Sequence, residues 1–431
     1  MSHGRRMIWR AVRSRVGLGA LSALTVVLAL VGCANGAPPR ARGTVVPAVP
    51  TATPAPAIQP PLTLAAAWGN VPIQALSTDL GNHQEFVFEN AVTPDGQWLV
   101  GASVPRDGQI SPAGGESTTE TRPSFAVLLN ISTHQVVTMR QLQQLQSQVY
   151  AAAADAGWVV WTEGFGTFSP VRGWSMFAYN RQTSQVIPIA HANPADGPTS
   201  ADPAPNPLVD QGRVFWTQAE DPKATGPSAP FSVFEQDLAT GTVTTVTVHT
   251  LGYPLLAVAW PWMVSQDTSA PSGPSGISFS TTLKNLVTGQ TLHVAQALGA
   301  TAVNGTSLAY SDGGSVYLVD DFTQSRASPE QIAPYYAADN APSSNPEYPA
   351  INARIVAWTS TVGTQVYDRV QHRLVNLPTV NSTGGYTVWV GGKTLIWADA
   401  EPKAQQDQDA SAHLLPAGIL NVIDTTTLPA H

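Results

Sequence analysis

Two short patterns alternate seven times along this chain of 431 residues, and nothing else in it restricts the possible folds so strongly. The first is an apolar run that ends in an aromatic residue followed by a small hydroxyl residue. It reads GWVVWT at Trp161 and Thr162, GRVFWT at Trp216 and Thr217, SLAYS at Tyr310 and Ser311, and RIVAWT at Trp358 and Thr359. Weaker copies are TLIWA at Trp397, WMVS at Val264 and Ser265, and QWLVGAS at Ala102 and Ser103. The second pattern follows each copy of the first: a β-prone run, an Asn or Asp, a tight polar turn and another β-prone run. Its anchors are Asn130, Asn180, Asp237, Asn285, Asp320, Asp368 and Asp424. Asn and Asp suit that place because their side chains accept a hydrogen bond from the backbone two residues on, which closes the turn. Gly241 and Gly289 supply the positive φ that such hairpins use.

The mean spacing of the repeat is about 49 residues, which is the length of a four-stranded propeller blade. From residue 86 onward, short Val/Ile/Thr/aromatic runs are separated by Gly, Pro, Asp and Asn, and only Met139 to Gln148 carries a hint of helical period. The expected fold is therefore all-β, a β-propeller of seven four-stranded blades. Its last unit is incomplete, because only TTTLPAH follows Asp424. The segment Val71 to Leu80 has the look of the missing outer strand and is expected to complete the last blade, so that no sheet edge stays open. Six or eight blades remain alternatives, since the fifth unit lacks a clear outer strand and Phe86 to Glu89 has no assigned place.

The N-terminal region reads differently. Arg5, Arg6, Arg10, Arg13 and Arg15 form a positive leader without an acid, and the chain is then apolar or small from Val16 to Gly32. Leu30-Val31-Gly32-Cys33 resembles the lipobox of bacterial lipoproteins, which implies diacylation of Cys33, the sole cysteine. The Arg5-Arg6 pair leaves a twin-arginine export route open beside the general one. Residues 1–32 are thus expected to be a lipoprotein signal peptide and residues 33–62 a Pro/Ala/Thr-rich semi-rigid stalk, with the propeller at 63–431. The expected location is extracytoplasmic, with the chain anchored to a membrane through Cys33. Without the five leader arginines, 16 basic residues stand against 29 acidic ones, which argues against nucleic acid as a partner. Once Cys33 is acylated no thiol is left for a disulfide, so apolar packing must hold the domain.

Thr93-Pro94-Asp95-Gly96-Gln97-Trp98 resembles the SPDG strand-turn, and Asp237-Leu238-Ala239-Thr240-Gly241 the DLxTG hairpin, of TolB-like and WD40-like bacterial propellers. The resemblance spans 71–431 as architecture and is clean in the first and third units. Pyrroloquinoline-quinone propellers share DxxTG, but their tryptophan docking pattern does not recur here. The resemblance implies a scaffold for interactions and no particular chemistry.

In such a ring the strands of each blade run outward from the axis, and connections alternate between two faces. The long connections 104–124, 163–173, 218–230, 266–276 and 399–418 join second to third strands, and 191–206 and about 323–347 join blades. All of them fall on one face, the expected binding face. Carboxylates follow the second strands at Glu163, Glu220 with Asp221, Asp267, Asp312, and Asp399 with Glu401. Glu163, Asp221, Asp267, Asp312 and Asp399 form a candidate acidic rim for a cationic partner or a divalent ion such as Ca²⁺ or Mg²⁺; the plainer alternative is that acids solvate strand ends. No cofactor is otherwise indicated. The repeated aromatics at Trp161, Trp216, Tyr310, Trp358 and Trp397 read as packing between blades, and Trp68, Trp174, Trp260 and Trp262 as core or linker contacts. The sequence contains no HExxH, no GxSxG and no GxxxxGK[ST]. The primary reading is a membrane-anchored scaffold that binds a protein or glycan of the cell envelope, without enzymatic activity. The alternative is a propeller hydrolase or lyase acting on extracellular carbohydrate or peptide, with carboxylates near the axis.

Overall fold

The computed structural model describes residues 60–106, 123–142, 147–165, 173–192, 204–220, 230–251, 255–267, 280–294, 301–311, 315–324, 328–333, 347–360, 363–378, 388–400, 402, 404–405, 407, 409 and 418–430. All of them lie in the stretch Ile58–His431 of one compact unit. Cys33 and the leader lie outside the described residues, and no helix among the described residues is long and apolar enough to cross a membrane.

Seven sheets, antiparallel apart from the short pairing of Leu62–Thr63 with Arg373–Asn376, follow one another along the chain. From the axis outward, blade one contains Gln84–Val92, Trp98–Pro105, Phe125–Asn130 and Val136–Gln141. Blade two contains Ser147–Ala154, Trp158–Phe165, Trp174–Asn180 and Val186–His191. Blade three is Leu208–Asp210, Arg213–Ala219, Pro230–Asp237 and Val243–Leu251, and blade four is Leu255–Ala259, Trp262–Asp267, Ser280–Asn285 and Thr291–Val294. Blade five is Thr301–Asn304, Ser307–Ser311, Val316–Val319 and Glu330–Ala333, and blade six is Glu347–Ile351, Ile355–Ser360, Gly363–Asp368 and Arg373–Asn376. Blade seven takes Val388–Gly391, Thr394–Ala400 and Gly418–Asp424 from the end of the chain and its outer strand, Gln74–Ser77, from the beginning. The innermost strands touch in cyclic order, blade one to two and so on until seven meets one. The fold is a seven-bladed β-propeller closed by an N-terminal strand.

The apolar cores lie between blades, which is what a period-two strand with two apolar faces requires. Each repeated aromatic packs against the preceding blade. Trp161 joins Val100, Ala102 and Leu128 of blade one, Trp358 joins Ala309, Val316 and Leu318 of blade five, and Trp397 joins Ile355, Val366 and Val375 of blade six. Trp216 and Tyr310 do the same against blades two and four. All five are at most 3% exposed, as the packing reading expects. Trp68, Trp174 and Trp262 are buried as well, while Trp260 is half-buried and lies 6.3 Å from the ring of Phe215.

The Asx turns form as anticipated. The Oδ1 atoms of Asn130, Asn180, Asp237, Asn285 and Asp368 each accept from the two backbone N–H groups at the second and third residues after them. Asp424 takes Thr426 N, and a short 3-10 turn, Thr425–Thr427, ends blade seven without a further strand.

Strand pairing and turn contacts correct several readings. The aromatic position of blade one is Gly101, not Ala102, because Gly101 pairs with Val127 as Trp161 pairs with Phe177. A side chain there has no room: a Cβ on Gly101 would lie 2.1 Å from the Val87 carbonyl oxygen and 2.7 Å from the Phe86 ring, which fills the space against blade seven instead. In blade four the same position is Ser265, one residue after Val264. In blade five the Asx turn is made by Asp321, whose Oδ1 accepts from Thr323 N, while Asp320 pairs with Arg369 of blade six. The fifth outer strand, Glu330–Ala333, falls inside the stretch assigned to a blade-to-blade connection at about 323–347. Phe86 to Glu89 belongs to the innermost strand of blade one, and Met139 and Gln148 lie in strands rather than a helix.

Candidate functional site

The inner strands of blades one, two and seven bring together the most unusual titratable group of the described structure. In Gln84–Val92 the register against the second strand slips between Phe88 and Ala91, leaving a bulge at Glu89 and Asn90. Asn90 adopts φ 61° and is exposed, a conformation Asn tolerates better than most residues. Glu89 is only 6% exposed, and among the described residues no ion pair or hydrogen bond reaches its carboxylate. Burial without a cation pushes its pKa well above the ordinary carboxylate range, so the carboxyl holds its proton more firmly than a solvated acid. Across the blade boundary, the phenol of Tyr150 is half-buried, and its pKa is raised by burial and by the field of Glu89. On the other flank, half-buried Phe88 meets half-buried Trp389 edge to face, with centroids 4.6 Å apart and planes at 80°. A buried acid with a raised pKa, a phenol, an exposed amide and an aromatic pair thus lie on the inner strands of three neighbouring blades. The combination allows proton donation to a bound ligand, supported by aromatic surface.

The rim residues have separate fates. Glu163 is fully buried; its Oε1 accepts from Arg140 Nε at 3.0 Å and from Trp161 Nε1 at 3.2 Å, and Arg140 also covers the Phe177 ring at 4.1 Å. Two residues after the aromatic is the same face of the strand, so an acceptor there meets the indole N–H; Gln218 does so for Trp216 at 3.4 Å. Asp399 is half-buried, and Glu220 accepts from Ser232 Oγ at 2.7 Å. Asp221, Asp312, Glu401 and the side chain of Asp267 lie outside the described residues. Among the described residues no three potential metal ligands are grouped.

The face that carries the long connections contains a cavity of about 420 Å³ lined by Ala75, Ser77, Asp79, Pro402, Gln405 and Ile419. Beside it Arg106, 1% exposed, pairs with Asp79 at 2.7 Å and with Asp409. This buried guanidinium ties the second strand of blade one to the corner after the closing strand and to the connection within blade seven. Sequence reading missed both this cluster and Glu89. Arg106 stands in a connection without a repeating neighbour, and Glu89 sits in a bulge that interrupts the alternation by which strands are recognised.

No family model matches the chain, and no curated protein matches it. Solved structures are similar in fold. TolB from Acinetobacter baumannii is 11% identical, with 65% of this chain and 63% of that chain covered and a TM-score of 0.40, so the chain spans just under two thirds of it. An oligogalacturonate lyase in complex with manganese is 10% identical over 82% of this chain and 92% of its own, with a TM-score of 0.45. An acylaminoacyl peptidase is 8% identical over 70% of this chain and 47% of its own, with a TM-score of 0.44. The expectation of a domain without enzymatic activity is corrected by this finding: the solved structures similar in fold to the chain include a lyase and a peptidase. What the chain's own strand order shows is its fold, a seven-bladed β-propeller.

Proposed function

We propose that this chain is an exported, Cys33-anchored propeller enzyme that cleaves extracellular carbohydrate or peptide, with Glu89 as its proton donor. The observation that supports the reading most is the carboxyl of Glu89, buried at the inner strands without a cation and with its pKa raised by desolvation. A carboxyl whose pKa is raised in this way is suited to protonating a leaving group, whose departure is otherwise slow at neutral pH. Tyr150 beside it offers a second hydroxyl for orienting the substrate, and Phe88 with Trp389 offers apolar surface. The lipobox-like LVGC at Cys33 and the stalk behind it would hold such an enzyme outside the cytoplasm, near its substrate.

The test is an activity screen of the full chain on oligosaccharide and peptide mixtures, read by mass spectrometry, with Glu89→Gln and Tyr150→Phe alongside. Cleavage that falls by roughly two orders of magnitude or more in Glu89→Gln is expected for a lost general acid. Equal cleavage by wild type and Glu89→Gln, or none by either, rejects the assignment. Incorporation of labelled palmitate that disappears in Cys33→Ser checks the anchor separately.

A further inference from the structure

The face opposite the long connections carries a small cavity with a charge character unlike the rest of this acidic chain. It encloses about 210 Å³ where the first turns of blades six and seven meet the 3-10 turn Thr425–Thr427, and Asn352, Arg354, Gly392, Lys393, Thr425 and Thr426 line it. Two cationic side chains are in its wall, and no acidic side chain lines it among the described residues. The whole protein, by contrast, has 29 acidic against 21 basic residues.

The cations are only partly committed. Arg354 Nη2 donates to Asp368 Oδ2 at 2.7 Å and to the Pro429 carbonyl at 2.6 Å, yet 16% of the side chain stays exposed. A ligand in the cavity therefore meets a charged, fork-shaped donor group, and an oxyanion is the ligand that such a group takes best. Lys393 Nζ lies 2.9 Å from Asp424 Oδ2, and with that lysine side chain 46% exposed the pair is open to exchange. Hydroxyls of Thr425 and Thr426 and the turn glycine Gly392, at φ 53°, complete a wall of small polar groups.

We infer that this cavity is a binding site for a phosphate group, taken either from free phosphate or from a phospholipid headgroup. The inference does not depend on the Glu89 reading, since none of its residues belongs to that site.

The experiment uses the full chain carrying Cys33→Ser, so that no acyl chain contributes. Thermal unfolding is followed as inorganic phosphate is titrated against chloride at constant ionic strength. A saturable rise of the midpoint is expected, with the phosphate concentration for half-effect raised about tenfold or more in Lys393→Ala and in Arg354→Lys, which keeps the charge but loses the planar guanidinium. Near-ultraviolet circular dichroism establishes that each variant is folded, and Lys393→Ala, on an exposed side chain, carries the test if Arg354→Lys does not fold. Flotation with phosphatidylglycerol vesicles, competed by phosphate, assigns the headgroup; a phosphate response without flotation assigns the free ion. A response to phosphate no larger than to chloride, or one identical in wild type and variants, overturns the site.

Discussion

At Glu89 the chain keeps an acid where an apolar residue would pack without penalty, and this has a consequence for stability. Its folded-state pKa lies above the ordinary value of 4.5, so between the two values the unfolded chain releases a proton that the folded chain retains. The unfolded state binds fewer protons there, and stability falls as pH rises. The contribution is fully present below the unfolded pKa and is lost as pH climbs through the folded one. Glu89→Gln, which mimics the protonated acid, is expected to melt with wild type near pH 4.5 and above it at pH 8; the pH dependence of the melting midpoint checks this, and coincident curves at both pH values reject it. Trp358 poses the opposite case, an indole 1% exposed between blades five and six with no chemistry assigned to it. Trp358→Ala is expected to cost about 3–5 kcal/mol by denaturant unfolding, as removal of a large buried side chain does. The difference between these two residues also shows what the amino-acid sequence could reveal. Trp358 was legible because its role repeats every blade. Glu89 was not, because nothing in a linear pattern distinguishes an acid on a strand from one left without a counter-ion by a bulge.

At the level of elements, the blades are connected by side chains of their first turns as well as by apolar packing. Asp155, in the turn between the first two strands of blade two, accepts from Gly157 N and Trp158 N through Oδ1 and reaches Gly212 N of blade three through Oδ2 at 2.6 Å. Asp210 repeats this toward Trp260 N of blade four at 2.7 Å, and the Asn352 amide reaches Thr425 Oγ1 of blade seven at 3.2 Å. Short side chains that reach from the turn of one blade to the next therefore set the spacing of neighbouring sheets on the face of the tight turns. Asp155→Asn retains Oδ1 for its own turn but puts an N–H group opposite Gly212 N, so the loss is confined to the contact between blades. About 1–3 kcal/mol of destabilisation is expected, with amide exchange accelerated at Gly212. Unchanged protection at that amide would show the contact to be incidental. Strand order and turn chemistry were readable from sequence because each depends on residues close together in the chain. The latches were not, since Asp155 and Asp210 meet the backbone of another blade, which has no residue signature.

For the molecule as a whole, everything depends on how a ring of seven sheets is closed. Gln74–Ser77 pairs with Gly418–Asp424, Leu76 is fully buried between blades seven and one, and Gly418 N donates to Thr78 Oγ1 across 340 residues of sequence. A second fastening lies one blade away. Asp368, fully buried, accepts from Trp68 Nε1 at 2.9 Å and from Arg354 Nη2, while Arg354 and Gln371 both donate to the carbonyl of Pro429. Both ends of the propeller are thereby bound to blade six before the N-terminal segment reaches the seam in blade seven. Since the conformational cost of closing a long loop grows only slowly with its length, a few buried contacts are enough to hold a closure of this span. Trp68→Phe removes one N–H donor and leaves the closing strand in place. It is expected to raise amide exchange in 62–77 and 368–376 while leaving blades three and four protected. Leu76→Asp, which places a charge in the seam itself, is expected to release protection in blades seven and one as well, and to replace one unfolding transition by two. Closure acts as a graded fastening if exchange spreads in that order. If both variants lose protection in all seven blades at once, the ring is a single cooperative unit, and the fastening on blade six has no separate part in holding it shut.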